Sequence, residues 1–197
     1  MVNILISTVY DKKWATIRSV NEYQAKKVIL LLDKNPNEKQ KVTANKIKGN
    51  YSNVLEIKEE KIDLTDVLSI SKDVKKIIDK IPEEDDIYID VSQGKKTQFM
   101  GILLACYTHF DRIKQIVYWE KDKPKIIMPK LSIKINGKKR KILELIEKTE
   151  NLTYLSKELE ISRTMVYKHL KNLEEKGYVI KENGKFKVTD IGKIAIL

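Results

Sequence analysis

The segment between residues 90 and 97 carries the residue types that a protein needs to bind an anion. A glycine permits close backbone approach to a ligand, two hydroxyl side chains can donate hydrogen bonds, and two lysines can neutralise negative charge. The segment leads into a helix predicted from Thr97 to Tyr107, whose N-terminal N–H groups also attract anions. The loop therefore predicts a phosphate ligand. Its residues are Asp90, Val91, Ser92, Gln93, Gly94, Lys95, Lys96 and Thr97.

The spacing of this loop excludes two common phosphate motifs. Neither G-x-x-x-x-G-K-[ST] nor G-x-G-x-x-G occurs in the chain, so neither a P-loop triphosphatase nor a dinucleotide fingerprint is predicted. One glycine and two lysines are also typical of an ordinary solvated turn. The loop alone therefore leaves an anion site and a plain turn as alternatives.

A second candidate site lies near the C-terminus, where the sequence indicates a helix-turn-helix. Ser162 can cap a helix from Arg163 to Lys176 by accepting a backbone N–H bond, and Val166, Leu170 and Leu173 form the buried face of that helix. The N-terminal end of such a helix normally enters the major groove, whereas lysines further along reach phosphates. We therefore predict contacts to double-stranded DNA from Ser162, Arg163, Thr164, Tyr167, Lys168 and Lys171.

The residues around this helix predict a winged helix. Two helices are expected before it, at residues 138–149 and 152–159, and Gly177 ends it. Strands at residues 178–180 and 186–188 surround an Asn-Gly turn and form the wing, which adds Lys185 to the predicted DNA contacts. The segment resembles winged helix-turn-helix regulators of the MarR and ArsR type. A winged helix used for dimerisation or protein docking is the alternative.

Charge favours the DNA-binding alternative. The chain has 39 basic and 28 acidic residues and a net charge of +11, which attracts polyanions. Residues 131–197 alone contain 15 basic and 9 acidic residues, a net charge of +6. Lys-rich surfaces also occur in proteins from AT-rich or thermophilic genomes, so the position of the charge carries more weight than its total.

The elements that must position the loop alternate between strands and helices over the first 120 or so residues. Apolar strands are predicted at residues 2–7, 26–33, 54–57, 86–91 and 115–119, with a possible edge strand at 125–128. Apolar residues from Val67 to Ile81 repeat at helical spacing. We therefore predict an α/β Rossmann-like domain with a mostly parallel sheet at residues 1–130, followed by a small α+β winged helix-turn-helix domain at residues 131–197.

The composition also limits where the protein works. Cys106 is the only cysteine, so an internal disulfide is excluded. With no secretory signal and no apolar run of about 20 residues, we expect a soluble, cytoplasmic protein without a membrane partner.

An α/β domain with D-x-S-x-G-K-K-T after its fourth strand, joined to a winged helix, resembles the CRISPR-associated Rossmann fold (CARF) regulators. Many members carry D-x-T-G-G-[TR]-[RK] here, which Asp90, Ser92, Gly94, Lys95 and Lys96 match in kind, while Gln93 stands where a glycine is usual. The resemblance implies a homodimer that binds a cyclic oligoadenylate, chiefly cyclic tetra-adenylate. It also implies ligand contacts from the loop after the first strand: Ser7, Thr8, Val9 and Tyr10.

The helix after the loop is apolar almost all round between Phe99 and Cys106. A sheet would cover only one side of it, so either a second subunit or the C-terminal domain is expected to cover the other. Cys106 is predicted to be a small core residue.

Catalysis is the alternative to regulation, because some relatives of this fold are ring nucleases that cleave the bound ring without a metal. Lys95 or Lys96, with Ser7 or Thr8, could serve such a reaction. His109 and His169 lack metal-ligand spacing, so no metal and no cofactor are predicted. A MarR-like sensor of another small anion remains a further alternative, and the sequence does not specify the operator or the direction of regulation.

Overall fold

A computed structural model describes residues 1–51, 54–129, 131, 135, 137–149 and 151–197. The chain divides into two compact units, Met1–Ser132 and Ile133–Leu197. The predicted division after residue 130 falls on a position outside the described residues, so it stays a prediction.

The first unit contains a six-stranded sheet in the order β3-β2-β1-β4-β5-β6 within the described residues. Neighbouring strands from β1 to β5 are parallel, and β6 pairs antiparallel with β5. The central strands consist of buried aliphatic residues because helices cover both faces of a parallel sheet. The strands are β1 (Asn3–Thr8), β2 (Lys27–Asp33), β3 (Glu56–Ile62), β4 (Asp86–Asp90), β5 (Ile113–Tyr118) and β6 (Ile126–Ile127).

Four helices connect these strands: α1 (Lys13–Tyr23), α2 (Glu38–Tyr51), α3 (Val67–Asp79) and α4 (Lys96–Thr108). The helix expected from the apolar spacing is α3, which begins where Asp66 accepts a hydrogen bond of 2.9 Å from the backbone N–H of Ser69. The Rossmann-like, mostly parallel architecture predicted from the sequence is therefore confirmed.

The third strand differs from its predicted position. It runs Glu56–Ile62, whereas the apolar spacing placed it at residues 54–57. Its exposed side chains are charged because it pairs with β2 alone, and Lys27 and Lys48 form ion pairs with Glu56 and Glu59 at 3.3 and 2.6 Å. An apolar pattern cannot predict such an edge strand.

A neighbouring helix covers part of the apolar surface of α4, because α3 packs against it. Met100 of α4 is 48% exposed, and the expected cover by a second subunit or by the C-terminal domain stays a prediction. A Cβ at Gly101 would lie 2.6 Å from the Cβ of Ile70, so only glycine allows the two helices to approach this closely. Cys106 is fully buried in α4, as its prediction as a core residue requires.

The second unit is a small helical core with a hairpin. Its core contains Ile142, Leu155, Val166, Leu170 and Phe186. Positive φ angles at Asn183 (50°) and Gly184 (79°) form the tight turn of the hairpin, as the Asn-Gly pair predicted. The elements are α5 (Gly137–Ile146), α6 (Leu152–Glu158), α7 (Arg163–Glu175), β7 (Val179–Glu182), β8 (Lys185–Val188) and α8 (Asp190–Ala195). None of the described helices combines the length and apolar character of a bilayer span.

Candidate functional site

Two loops meet at the carboxyl edge of the sheet. β1 lies between β2 and β4, so the helices that follow β1 and β4 leave the sheet in opposite directions along the strand order. The register pairs Ser7 with Asp90, which brings the loop after β1 beside the loop after β4. Ligands of open α/β sheets bind in this crevice.

A buried carboxylate holds the second loop in place. One oxygen of Asp90, Oδ1, accepts hydrogen bonds from the backbone N–H of Ser92, at 2.9 Å, and from the Ser92 hydroxyl. The other oxygen, Oδ2, accepts from Ser19 at 2.9 Å and from Ser7 at 3.3 Å. Burial raises the pKa of Asp90, and these hydrogen bonds act in the opposite direction. Asp90 therefore anchors the loop to Ser7 of β1 and Ser19 of α1.

Trp119 extends this network to the next strand. Its backbone N–H donates to the Ser92 hydroxyl at 2.8 Å, and its indole N–H donates to Ser19 at 2.7 Å. The guanidinium of Arg18 lies 4.6 Å from the centre of the Trp119 ring. Asp90 and Trp119 thus fix the position of Ser92 at the ends of two strands of the sheet.

Gln93 joins the two loops directly. Its side-chain oxygen accepts from the backbone N–H groups of Tyr10 and Lys12, at 3.1 and 2.8 Å. Its amide group donates to the carbonyl of Thr8 at 3.0 Å and to the Thr16 hydroxyl at 3.2 Å. Gln93 therefore cross-links the two loops.

Gly94 gives the loop its turn into α4. Its φ of +94° is a conformation that residues with a Cβ rarely adopt, and an added Cβ would collide with the side-chain oxygen of Gln98. Lys95 precedes α4 as its N-cap and makes no capping hydrogen bond through its side chain in the described structure. The first N–H groups of α4 thus point toward the crevice without a side-chain cap.

A cavity of about 470 Å³ lies over these loops. Six of the predicted ligand residues line this cavity: Tyr10, Ser92, Gln93, Gly94, Lys95 and Lys96. The sequence analysis missed five further lining residues: Asp11, Lys12, Val91, Phe99 and Tyr118. Tyr118 ends β5 beside β4, so strand order identifies it, while Phe99 lies one helical turn after Lys96.

The remaining predicted ligand residues lie elsewhere. Ser7, Thr8 and Val9 are fully buried beneath the cavity, and the Thr8 hydroxyl accepts from the backbone N–H of Gln93 at 3.0 Å. Instead of lining the cavity as expected, these residues support its floor, as Asp90 does. Thr97 is exposed in the first turn of α4, outside the lining. Of the four candidate catalytic residues, only Lys95 and Lys96 line the cavity.

The helix α7 is the predicted recognition helix of the helix-turn-helix. Its residues predicted to contact DNA are exposed to solvent. Ser162 caps α7 as expected, accepting a hydrogen bond of 3.2 Å from the backbone N–H of Met165. Lys171 forms an ion pair with Glu174 at 2.8 Å, which raises the pKa of Lys171. The exposed residues are Ser162, Arg163, Thr164, Tyr167, Lys168 and Lys171, together with Lys185 on the wing.

Tyr167 connects the recognition helix to the wing. Its ring packs edge-on against Phe186 of β8, with ring centres 6.0 Å apart. The ammonium of Lys181, on β7, lies 5.9 Å from the Tyr167 ring and 5.6 Å from the Phe186 ring. The sequence analysis did not include Lys181 in the wing, because it placed the first wing strand at residues 178–180 and the strand runs Val179–Glu182.

In the part of the chain that the structure describes, no group of three or more His, Cys, Asp or Glu side chains is placed to hold a metal ion. His109 contacts Asp79, with Nε2 and Oδ1 3.3 Å apart, away from the cavity lining.

Three solved structures are similar to this chain. Can2 from Sulfobacillus thermosulfidooxidans, in complex with cyclic tetra-adenylate, is 14% identical with a TM-score of 0.49, and the match covers 98% of this chain and 63% of that one. VC1899 from Vibrio cholerae is 10% identical with a TM-score of 0.48, covering 98% and 64%. A type III CRISPR defence DNA nuclease activated by cyclic oligoadenylate is 8% identical with a TM-score of 0.52, covering 88% and 35%.

This chain thus spans less than two thirds of the length of these structures, and the likeness to the nuclease concerns the fold. Among curated proteins, none matches the chain. The likeness to the nuclease agrees with the α/β fold predicted from the sequence.

Two family matches divide the chain as the fold does. An HTH domain family, HTH_11, matches residues 138–185, which include α7 and most of the wing. The family described as HFX_2341_N: -like, N-terminal, matches residues 6–123, more than half of the chain and nearly all of the sheet domain. The protein is therefore a member of the HFX_2341_N family that also carries a helix-turn-helix domain.

Proposed function

We propose that this protein is a DNA-binding regulator whose sheet domain senses a cyclic oligoadenylate, specifically cyclic tetra-adenylate. One observation carries the proposal: the 470 Å³ cavity over the preorganised loop is lined by three lysines and three aromatic rings. The lysines are Lys12, Lys95 and Lys96, and the rings are those of Tyr10, Phe99 and Tyr118.

This lining suits the chemistry of a nucleotide ring. Phosphates require positive charge and N–H donors, which the lysines and the start of α4 supply. Unstacked bases bind to aromatic side chains. Phe99 and Tyr118 pack edge-on with ring centres 6.4 Å apart, so each ring is held in a fixed orientation.

The C-terminal domain supplies the proposed output, binding of double-stranded DNA. In the proposed complex, Arg163 and Thr164 at the start of α7 contact bases, Lys168 and Lys171 contact phosphates, and Lys185 contacts the backbone from the wing. The exposure of all these side chains supports the assignment.

The proposed assembly is a homodimer. A ring of four identical nucleotides has the symmetry to bind two identical cavities at once. Binding of one ring to two subunits would favour one dimer geometry and so change the spacing of the two recognition helices.

Ring cleavage is the second candidate, and the cavity favours it less. Attack within the ring would require groups around the reacting phosphate. The hydroxyls of Ser7 and Thr8 are buried in internal hydrogen bonds, which leaves Lys95 and Lys96 for that role.

The test is calorimetry of the full chain with cyclic tetra-adenylate, with chromatography of the ligand from the same samples. We expect tight binding of an intact ring, two subunits per ring, and a ligand-dependent change in the mobility of a DNA duplex. Linear products would establish the ring nuclease instead. Absence of binding would overturn the sensor and leave a DNA-binding protein with another signal.

A further inference from the structure

A second, smaller cavity of about 40 Å³ lies where β2 ends. Tyr10 and Lys95 line both this cavity and the large one, so the two cavities share these residues as a common wall. Polar side chains form much of the remaining lining: Asp33, Asn35, Asn37, Gln40 and Gln98.

Gln98 has an unused donor in this cavity. The residue is 1% exposed, and its side-chain nitrogen Nε2 has no hydrogen-bond partner. Among the described residues, only the hydroxyl of Tyr23 shares that condition. Since a buried polar group without a partner destabilises the fold, an acceptor that enters the cavity would gain a donor at no further cost in desolvation.

Asp33 provides the matching acceptor. It is the last residue of β2, and its Oδ1 accepts a hydrogen bond of 3.0 Å from the backbone N–H of Asn35. In Rossmann folds that bind dinucleotides, an acidic residue about 20 residues after the first turn binds a ribose hydroxyl. Asp33 lies in the corresponding place at the end of the second strand.

The cavity is small and its wall is fixed. The side-chain oxygen of Asn37 accepts from the backbone N–H of Gln40 at 3.0 Å, and the Gln40 amide donates to the carbonyl of Val9 at 3.2 Å. A water molecule occupies about 30 Å³ in the liquid, so this space admits a hydroxyl group and excludes a base.

We propose that the small cavity is a subsite for a ribose 2′-hydroxyl, which donates to Asp33 and accepts from the Gln98 amide. A hydroxyl is the one nucleotide substituent that is small enough and both donates and accepts. This inference rests on the proposed binding of a cyclic oligoadenylate in the large cavity. It assigns to the protein a preference for ribonucleotides over deoxyribonucleotides.

The test compares cyclic tetra-adenylate with its all-2′-deoxy counterpart by calorimetry on the full chain. We expect the wild-type protein to bind the ribonucleotide ring at least about tenfold more tightly. Asp33→Asn and Gln98→Met should each reduce that preference about three- to tenfold and leave the affinity for the deoxy ring unchanged. Glu38→Gln removes one charge from the exposed start of α2, outside both cavities, and should leave the preference intact.

The outcomes separate this inference from the proposed function. If the wild type binds both rings equally, or if the variants weaken both rings equally, the subsite is overturned while the cyclic oligoadenylate sensor stands. If the wild type binds neither ring, the proposed function is overturned and the subsite with it. Two variants are used because replacement of Gln98 also alters the packing beside Gly94.

Discussion

The loop after β4 and the helix α7 are both proposed to bind a phosphate-bearing partner, but they are built differently. Asp90 and Gln93 are held by buried hydrogen bonds to residues 71 to 85 positions away. The polar groups of α7 are exposed, and Lys171 pairs with a residue one turn away. The proposed ligand loop therefore depends on the tertiary fold, whereas the proposed DNA contacts of α7 follow from one helix.

Because of this difference, we expect substitutions in the two regions to affect protein stability and ligand affinity in different ways. Removal of a buried partner leaves other polar groups unsatisfied and lowers the free energy of unfolding. Exposed ion pairs contribute little to that free energy. Substitutions beneath the loop should thus affect folding and binding together, and substitutions on α7 should affect binding alone.

The largest expected effect is that of Asp90→Ala. It leaves the hydroxyls of Ser19 and Ser92, and the backbone N–H of Ser92, without their acceptor, which should lower the free energy of unfolding by about 3 kcal/mol or more. Urea denaturation measures the change. Asp86→Ala, at the start of the same strand, removes a half-exposed ion pair with Lys114 and should cost under about 1 kcal/mol. Equal losses for the two variants would break the proposed contrast.

Replacement of the exposed lysines at the cavity should act on binding only. Lys95→Ala and Lys96→Ala are each expected to weaken cyclic tetra-adenylate about tenfold, because each removes a charge-assisted contact to phosphate. Their urea midpoints should match that of the wild type. Lys39→Ala, on exposed α2, is the matched control for loss of charge. Unaltered affinity in either cavity variant would remove that lysine from the site.

The smallest effect should distinguish two lysines of α7. Lys168→Ala should lower the slope of log affinity against log salt concentration by about 0.9, the value for one lost phosphate contact. Lys171→Ala should lower it less, since Glu174 already compensates part of the Lys171 charge. Titration of one duplex at several salt concentrations gives both slopes. A larger decrease for Lys171 would show that its pair with Glu174 opens on DNA.

Local patterns predicted the fold well where each element carries its own pattern. The spacing from Val67 to Ile81, the cap at Ser162 and the Asn-Gly turn all correspond to elements of the structure. The charged edge strand β3 and the short helix α8 were missed or misplaced, because their positions depend on neighbouring elements rather than on apolar spacing.

The candidate site was predictable only in part for the same reason. The sequence identified the loop at residues 90–97, since glycine, hydroxyl and lysine side chains adjoin there. It did not identify Trp119 as a support of Ser92 or Tyr118 as a lining residue, because strand order brings β5 beside β4. Nor did it show that Ser7 and Thr8 are both buried, because burial of consecutive residues on opposite faces of a strand requires helices on both sides of the sheet.

The close contact of Gly101 with Ile70 has a mechanical consequence. The loop at residues 90–97 leads directly into α4, and α4 is seated against α3 with almost no intervening side chain at that point. Interdigitated helices slide or turn as a pair more readily than they bend. A ligand that pulls on the start of α4 would therefore displace a two-helix rigid body, and a bulkier residue at position 101 would loosen that linkage without touching the cavity.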